Sequence, residues 1–299
     1  MLHIYTAEYH LLGKLKAGVK KMLGKYFGGP LMVEESLRSG LVEIGEPFAW
    51  NAPLHTPGSV AGVLNGSDVL LWAIQQKRLG NIGRLFAGPN IVVLPSQENG
   101  ILAHKEIDGI LVPSVWVKES YEKDCPELYG KIHVWPAGVT IPEVAETNKD
   151  IDFLVFNKTG ESKIIRDIRQ QLQGQKTYEL RYGAFSQTDY FGLLSRSKYL
   201  VYVSESESQG LAIFEAWARN VPVLAWERGY AIAGNIKVQG KTSAPYMHDM
   251  AGKSFGSVTE FKDILHQLTE FSFSTRQYVQ EYFSHEAAAK HYLEIVNHA

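Results

Sequence analysis

The sequence predicts an α/β protein built on parallel sheets. Short apolar runs rich in β-branched residues alternate with helical patterns along both halves of the 299-residue chain. Residues 199–203 and 221–225 are two such runs, and the helical pattern of residues 210–220 lies between them. A strand, a helix and a second buried strand are typical of a right-handed crossover between parallel strands. The chain length is typical of about two domains of this kind.

Composition and charge narrow the class of protein further. The net charge of −2 gives no reason to expect nucleic acid as a partner. Cys125 is the single cysteine, which excludes a disulfide or a cysteine-based metal site and favours a reducing compartment. No apolar run approaches the roughly 18 residues that span a bilayer, and the chain begins with a strand pattern at residues 2–6. We therefore expect a cytoplasmic protein.

A basic segment follows the first strand. Residues 10–27 carry five lysines and no acidic residue, with apolar residues at helical spacing. A basic amphipathic helix is a candidate for peripheral contact with an anionic membrane surface, or for holding an anionic or lipid-linked acceptor. A surface helix with solvated lysines is the alternative interpretation, because three glycines weaken the helical pattern.

The remainder of residues 1–140 is predicted to form a doubly wound domain. Gly28 and Gly29 precede a helical pattern at residues 31–39, and a plain turn is one interpretation of this glycine pair. Residues 45–66 are rich in proline, glycine and asparagine and are predicted to be a loop. Buried strands are predicted at residues 67–72, 90–94, 109–112 and 132–135.

A second domain is predicted over residues 150–283, after a polar linker at residues 140–150. Its predicted strands cover residues 152–156, 177–182, 199–203 and 221–225, and its predicted helices cover residues 163–172, 187–196, 210–220 and 258–270, with a last helical pattern at residues 274–297. Asp150 and Asp152 imitate a metal-binding pair, but they precede a strand and would lie at the wrong edge of the sheet. We therefore predict no metal site.

A candidate anion site lies in the loop between residues 203 and 211. Ligands of parallel sheets bind beyond the carboxyl ends of the strands, where helix N-termini offer backbone N–H groups. Ser208, Gln209 and Gly210 occupy that place, and Glu207 and Glu215 frame it. A carboxylate accepts two hydrogen bonds, so Glu215 suits a ribose diol and Glu207 suits a sugar. A helix cap at Glu207 and a surface ion pair at Glu215 fit the spacing equally well.

These residues resemble the signature of retaining, nucleotide-sugar-dependent glycosyltransferases of the GT-B fold. That signature is a glutamate, seven residues and a second glutamate, and its later positions match Ala216, Ala218, Pro222 and Val223. The family's usual Glu-Gly-Phe-Gly-Leu loop is Glu-Ser-Gln-Gly-Leu at residues 207–211, with two positions changed. Residues 108–142 are similar to the family's last N-terminal strand and its exit into the second domain.

The resemblance implies two Rossmann-like, doubly wound domains that face each other across a cleft. The N-terminal domain would face the acceptor and the C-terminal domain would bind the donor, with no cofactor and no metal. The last helix, at about residues 284–299, would pack back on the N-terminal domain. Lys158 and Lys163 keep the spacing of the family's Arg and Lys, which supply positive charge to the donor diphosphate.

The resemblance also implies roles for the other candidate residues. Glu207 would bind the donor sugar or stabilise charge at its anomeric carbon, and Glu215 would hold the ribose. The remaining donor-binding residues would be Tyr182, Gly183, Ser208, Gln209, Gly210 and Leu211. Gly28 and Gly29 would let the backbone approach the diphosphate or the acceptor.

The implied activity is transfer of a hexosyl group from a nucleoside diphosphate sugar to a hydroxyl of a glycan or a lipid-linked acceptor, in polysaccharide biosynthesis. The protein would then be cytoplasmic or peripheral at the inner membrane face. The family's N-terminal histidine is replaced by residues 95–98, and His104, the nearest imidazole, is predicted to be packed or solvated. A nucleotide-sugar epimerase or hydrolase of the same fold, and a non-catalytic nucleotide-sugar-binding protein, are the alternatives.

Overall fold

The computed structural model describes residues 1–9, 28–143 and 148–299, which divide into two compact units. The first unit spans Met1–Gly138, Ala233–Lys237 and His285–Ala299, and the second spans Val139–Ile232 and Val238–Ser284. The predicted basic helix at residues 10–27 lies outside the described residues. Within the described ranges, no helix is long and apolar enough to cross a bilayer.

The first unit contains a six-stranded parallel sheet. Its strands are β1 (Leu2–Tyr5), β2 (Phe48–Trp50), β3 (Ser59–Asn65), β4 (Ile82–Asn90), β5 (Gly109–Val112) and β6 (Ile132–Val134). Helices α1 (Gly29–Glu43), α2 (Ser67–Arg78) and α3 (Val115–Asp124) connect them. The order β2-β1-β3-β4-β5-β6 means that the chain moves outward in opposite directions on the two sides of β1. The carboxyl ends of β1 and β3 therefore form a topological switch point.

The second unit repeats this plan with a five-stranded parallel sheet. Its strands are β7 (Ile151–Asn157), β8 (Thr177–Arg181), β9 (Ser197–Val203), β10 (Val223–Trp226) and, after the hairpin strands β11 (Tyr230–Ala233) and β12 (Ile236–Gln239), β13 (Gly252–Phe255). Its helices are α4 (Lys163–Gln171), α5 (Gln187–Arg196), α6 (Leu211–Ala218), α7 (Val258–His266) and α8 (Thr275–Tyr282). The order β13-β10-β9-β7-β8 places the switch point between β7 and β9.

The central strands of the second sheet are apolar because both faces are covered. Leu154 and Phe156 of β7 belong to one hydrophobic core, whereas Phe153 and Val155 belong to the core on the opposite face. Parallel sheets with helices on both faces produce such nearly continuous apolar runs. The two parallel sheets and their helices confirm the α/β fold class predicted from the sequence.

The strand predicted at residues 67–72 is wrong. Residues 67–72 form the first half of α2 and not a strand. The buried residues of this helix are Val69, Leu70, Ala73 and Ile74, which recur at helical spacing. A run of six residues with several apolar positions fits a strand or a helix. Ala73 and Ile74, which follow the run, continue the helical spacing and favour the helix.

The predictions for residues 45–66 and 90–94 are also wrong. Residues 45–66 contain β2 and β3, and β3 is a largely buried strand whose glycine and asparagine imitate loop signals. The strand predicted at residues 90–94 lies earlier, as β4, which ends at Asn90. Glycine, arginine and proline inside β4 hide its strand pattern. The hairpin β11–β12 and strand β13 were not predicted.

The helical pattern predicted at residues 274–297 forms two helices, α8 and α9 (His285–His298). They belong to different units, because the division between the units falls at residues 284 and 285. Helix α9 packs closely on α1, where a Cβ atom at Gly40 would lie 2.0 Å from the backbone oxygen of His285 and 2.7 Å from Ala289 Cβ. The indole of Trp135 also donates a hydrogen bond to the oxygen of Ala288, at 2.8 Å.

We predict that Gly40→Ala destabilises the protein, although alanine favours helices. The clash with the backbone of α9 forces a shift, and overpacking of this kind costs about 1–3 kcal/mol. Gly192 lies inside α5, where an added Cβ atom would meet nothing within 4 Å, so it supplies the matched control. Gly192→Ala is expected to be stabilising by roughly 0.5–1 kcal/mol. Chemical denaturation measures both, and equal effects of the two substitutions would contradict the close packing.

Candidate functional site

The candidate site of the second unit lies at the carboxyl ends of β7 and β9. Asn157 and Val203 are paired across these two neighbouring strands. The next residues, Lys158 and Ser204, therefore begin their loops side by side, and the N–H group of Lys158 donates to the oxygen of Val203 at 2.9 Å. This is the switch point of the sheet, where ligands of parallel α/β proteins bind.

Hydrogen bonds from the side chain and backbone anchor Glu207. Its Oε1 accepts hydrogen bonds from Lys158 Nζ and Ser204 Oγ, each at 2.7 Å. Its backbone N–H donates to the oxygen of Thr242 at 2.7 Å. Only 12% of the Glu207 side chain is exposed, and a carboxylate at this depth is held by partners that offset its lost hydration. The two residues that the sequence singled out separately, Lys158 and Glu207, form one ion pair.

Lys158 has a second partner in Tyr182. Its ammonium lies 4.3 Å from the centre of the Tyr182 ring, a distance suited to a cation–π interaction. Tyr182 follows β8 and is 67% exposed, so its ring covers the cation on one side and faces solvent on the other. Gly183 comes next in a left-handed backbone conformation, also exposed.

Lys163 is in a different environment. It is the first residue of α4, its side chain is 85% exposed, and its ammonium pairs with Asp167 one turn along the helix, at 3.0 Å. The structure therefore ties Lys158 to Glu207 and leaves Lys163 at the surface of the unit. Surface pairs of this kind contribute little to stability, so Lys163 is the more easily recruited by an incoming anion.

The loop after Glu207 ends at Gly210, where helix α6 begins. Gly210 has a φ of 87°, a left-handed conformation that glycine adopts without strain. Its oxygen accepts from the N–H groups of Ile213 and Phe214, so it closes the first turn of the helix. Ser208 is exposed and Gln209 is buried. With Leu211, these residues form the N-terminal end of α6, where backbone N–H groups favour anions.

Glu215 lies inside a helix that is buried on almost every side. Residues 213–218 of α6 are all buried, and Glu215 is the single charged residue among them. Burial raises the pKa of its carboxyl group to about 7, although a hydrogen bond from Gln187 Nε2 at 3.1 Å opposes this shift. Gln187 is the first residue of α5 and was not singled out from the sequence. A surface ion pair at Glu215 is ruled out by this burial.

Arg219 lies one turn after Glu215 and borders the same site. Its guanidinium donates to the backbone oxygen of Glu215 at 3.0 Å and lies 3.7 Å from the centre of the Phe191 ring. Burial lowers the pKa of Arg219, and the nearby Glu215 opposes that change. The guanidinium of Arg219 is therefore held close to Glu215 by a hydrogen bond to the backbone oxygen of Glu215.

Gly28 and Gly29 belong to the first unit. Gly28 is extended and precedes α1, and Gly29 is the first residue of that helix. Among the described residues, a Cβ atom placed at Gly29 would meet nothing within 4 Å. The two glycines thus lie in the unit that does not contain Lys158, Glu207 or Glu215.

Sequence reasoning missed a polar network at the switch point of the first unit. Asn65, at the end of β3, accepts from the N–H group of Ala7 and donates to Glu34 Oε1, both at 2.6 Å. Burial raises the pKa of Glu34 to about 7, while Asn65 and Thr6 lower it by hydrogen bonding. The signal was present, because Thr6 and Asn65 each follow or end a strand at the sheet's carboxyl edge. It was hidden when β3 was predicted to be a loop.

The other polar residues considered from the sequence lie elsewhere. Asp150 forms two 2.8 Å hydrogen bonds with Arg196, and Asp152 pairs with Lys198 at 2.8 Å, both at the amino end of the second sheet. His104 follows a short 3-10 helix and lies 3.7 Å from Glu106. Asp150 and Asp152 thus each pair with a cationic side chain, and His104 lies beside Glu106.

Comparisons with known proteins find similarity in fold but none in sequence. No family model matches the sequence, and no curated protein matches it. Solved structures do match: the apo form of the lipopolysaccharide outer core galactosyltransferase WaaB has a TM-score of 0.62 at 13% identity, covering 99% of both chains. WaaG, a glycosyltransferase involved in lipopolysaccharide biosynthesis, has a TM-score of 0.51 at 10% identity, covering 100% of both chains.

A third similar structure is longer than this chain. TarM has a TM-score of 0.55 at 14% identity, and the match covers 80% of this chain and 55% of that one. At such low identities the likeness establishes the fold and leaves the activity to be argued from the site. The chain therefore has the GT-B fold that the sequence resemblance implied.

We predict that Glu215→Gln changes how stability depends on pH. The folded-state pKa of Glu215, about 7, lies above the usual glutamate value of 4.5, so the folded protein retains a proton that the unfolded chain has released. Wild-type stability therefore falls as pH rises between these values, by at most about 1.4 kcal/mol per pH unit, and is level above them. The variant lacks this loss.

The advantage of Glu215→Gln over the wild type should therefore grow between pH 5 and pH 7.5 in thermal or chemical denaturation. The raised pKa of Glu34 affects both proteins and cancels in the difference. Glu294→Gln, which changes an exposed helical glutamate of α9, is the control and should shift stability equally at each pH. A constant difference for Glu215→Gln would contradict the raised pKa.

Proposed function

We propose that the protein is a glycosyltransferase that moves a sugar from a nucleoside diphosphate sugar to an acceptor hydroxyl. The observation that carries the proposal is the ion pair of Lys158 and Glu207 at the switch point, next to the start of α6, the helix that also contains the buried Glu215. Cation, helix N-terminus and two carboxylates are the groups that a diphosphate, a ribose and a sugar need. The GT-B fold shared with WaaB and WaaG, which are described as glycosyltransferases, supports it.

Lys158 and the α6 N-terminus are proposed to receive the diphosphate. When the bond from the anomeric carbon to the diphosphate oxygen breaks, negative charge grows on the leaving group, and fixed positive groups lower the barrier. Lys158 has three N–H donors, so it can bind a phosphate oxygen while it keeps Glu207. Lys163 supplies a second, solvent-exposed cation. In this proposal the two lysines and the backbone amides take the place of a metal ion.

Glu215 is proposed to bind the ribose. Its carboxylate is buried in α6 and accepts a side-chain hydrogen bond from Gln187, and its two oxygens have further acceptor capacity for a diol. Tyr182 and Gly183, beyond β8, are proposed to border the base. This arrangement places the nucleoside and the diphosphate along one edge of a single sheet.

Glu207 is proposed to be the catalytic residue, binding the donor sugar or stabilising positive charge at its anomeric carbon. The carboxylate is held by Lys158 and Ser204, so its position does not depend on the ligand. Fixed charge of this kind acts without reorganisation at the moment of reaction. Retention at the anomeric carbon is proposed from the family resemblance. The bond from the anomeric carbon to the diphosphate oxygen breaks, a bond to the acceptor oxygen forms, and the proton of the acceptor hydroxyl passes to the leaving diphosphate.

The acceptor is proposed to be a glycan or a lipid-linked sugar that approaches through the first unit, with Gly28 and Gly29 at its edge. WaaB and WaaG carry lipopolysaccharide in their descriptions, which supports an acceptor of polysaccharide biosynthesis. A cytoplasmic protein with peripheral membrane contact through residues 10–27 would suit such an acceptor.

A thermal-shift screen against nucleoside diphosphate sugars tests the donor half of the proposal, since a ligand that binds only the folded state raises the unfolding midpoint. The screen uses UDP-glucose, UDP-galactose, UDP-N-acetylglucosamine and GDP-mannose. Turnover of the donor without an acceptor would indicate an epimerase or a hydrolase instead. Binding with no turnover over an acceptor panel would indicate a binding protein.

We predict different failures for the two glutamates. Glu207→Ala should abolish transfer with little loss of donor affinity, because its role is at the sugar. Glu215→Ala should mainly weaken donor binding, by about 1.5–3 kcal/mol, the scale of hydrogen bonds to a charged group. Glu205→Ala, an exposed neighbour in the same loop, is the control. Calorimetry and a transfer assay separate the effects, and full activity in both variants would overturn the assignment.

We also predict that donor binding weakens in mild acid. The ionised form of Glu215 accepts the ribose hydroxyls, and the pKa of this group in the free protein is about 7. As pH falls through that value, a growing fraction of the protein is protonated, and the donor Kd should rise by up to about tenfold per pH unit. Titrations at pH 5.5, 6.5 and 8 measure this, with Glu215→Gln expected to remove most of the dependence. A flat profile in the wild type would contradict the ribose role.

A further inference from the structure

A further carboxylate, that of Glu227, lies near the Glu207 loop and accepts four hydrogen bonds. It directly follows β10. Its Oε2 accepts from the N–H groups of Thr242 and Ser243, at 2.7 and 2.8 Å. Its Oε1 accepts from the N–H group of Gly229 at 2.9 Å and from Thr242 Oγ1 at 3.2 Å. Two anionic oxygens are needed for this many donors, and no neutral side chain offers them.

The segment held by Glu227 in turn holds the Glu207 loop. Thr242 and Ser243 are fully buried. The oxygen of Thr242 accepts from the N–H group of Glu207 at 2.7 Å, and Ser243 Oγ donates to the oxygen of Glu205 at 3.3 Å. Glu227 is therefore linked to the Glu207 loop by hydrogen bonds through two buried residues, Thr242 and Ser243.

The same carboxylate closes the base of the β11–β12 hairpin. Gly229 and Gly240 flank this hairpin, and the N–H group of Gly240 donates to the oxygen of Gly229 at 2.9 Å. Glu227 binds Gly229 on one side of the base and Thr242 on the other. If the role of Glu227 were purely structural, its carboxylate would only hold the base of the hairpin closed.

We propose that Glu227 is a positioning residue for Glu207, acting through Thr242 and Ser243. This inference rests on the proposed function, in which Glu207 acts at the donor sugar. Charge-assisted hydrogen bonds to buried backbone N–H groups are strong and directional, so they fix the Thr242 oxygen that receives the Glu207 amide. The position of the Glu207 carboxylate at the sheet edge then depends on Glu227, which lies 20 positions further along the chain.

Hydrogen–deuterium exchange tests the coupling without any ligand. In Glu227→Ala, the donors of Thr242 and Ser243 lose their acceptor, and peptides covering residues 239–246 and 204–210 should both exchange faster. Glu227→Gln keeps one acceptor oxygen and should give intermediate exchange at residues 204–210. Asp152→Ala is the matched control, because Asp152 also accepts a backbone N–H group, from Lys176 at 2.9 Å, at the opposite edge of the same sheet. It should leave both peptides unchanged.

Turnover distinguishes positioning from simple hairpin closure. With the donor that gives the largest shift among the four nucleotide sugars of the screen, Glu227→Ala should lower kcat by about 10- to 100-fold, the effect of a displacement of about 1 Å in a catalytic group. The donor Kd should change less than kcat, because Lys158 and Glu215 lie outside the loosened loop. Glu227→Gln should recover part of kcat, and it replaces the alanine variant if that variant does not fold.

The outcomes separate the two claims. Faster exchange at residues 239–246 with unchanged exchange at residues 204–210, or a kcat equal to wild type in Glu227→Ala, would overturn the positioning role. If the wild type binds and turns over none of the donors, the proposed function fails, while the exchange experiment still decides whether Glu227 holds the Glu207 loop.

Discussion

The ion pair between Lys158 and Glu207 is the interaction on which the candidate site depends. It joins the loops that follow two neighbouring strands, β7 and β9, at the switch point where the strand order of the sheet reverses. Both partners are largely buried, so removing either one would leave an uncompensated charge, which is more costly than the pair itself is stabilising. The pair therefore fixes the geometry of a cation, a carboxylate and the N-terminus of α6 before any ligand arrives. Fixed polar groups are what catalysis of charge separation requires.

The same topological rule operates in the first unit with different chemistry. There the switch point brings together Thr6, Asn65 and Glu34, joined by hydrogen bonds, and no lysine of residues 1–9 and 28–143 takes part in these contacts. The second unit presents cationic and anionic groups that suit a charged donor. The network of the first unit is composed of neutral side chains and a carboxyl group that titrates near neutral pH, which suits hydroxyl groups better than phosphates. This contrast agrees with the proposed division into donor and acceptor sides.

The second unit was more predictable than the first, for physical reasons. Strands β7 and β9 and helices α5 and α6 have strong apolar periodicity between clear loop signals, and their positions follow from local pattern. The prediction for residues 45–66 failed because β3 carries glycine and asparagine within a strand, and a strand in the middle of a parallel sheet gains its stability from neighbours that the local sequence does not reveal. The prediction for residues 67–72 failed because a short apolar run fits a strand or a buried helix turn.

The candidate residues themselves divide in the same way. The spacing of Glu207 and Glu215 is local, so both were visible in the sequence, but the burial of Glu215 and its contact with Gln187 arise from the packing of α5 against α6. The pairing of Lys158 with Glu207 joins residues 49 positions apart. Glu227 and Thr242 lie in a region where no element was predicted, because the hairpin is short. Such contacts depend on tertiary structure and cannot be predicted from the periodicity of the sequence.

The most direct test of the central claim is a crystal structure with the nucleoside diphosphate of whichever donor the screen selects. We expect phosphate oxygens within hydrogen-bond distance of Lys158 Nζ and of the backbone amides at residues 208–211, and ribose hydroxyls on the Glu215 carboxylate. A diphosphate bound at any other place, with Lys158 and Glu215 contacting no ligand atom, would contradict it.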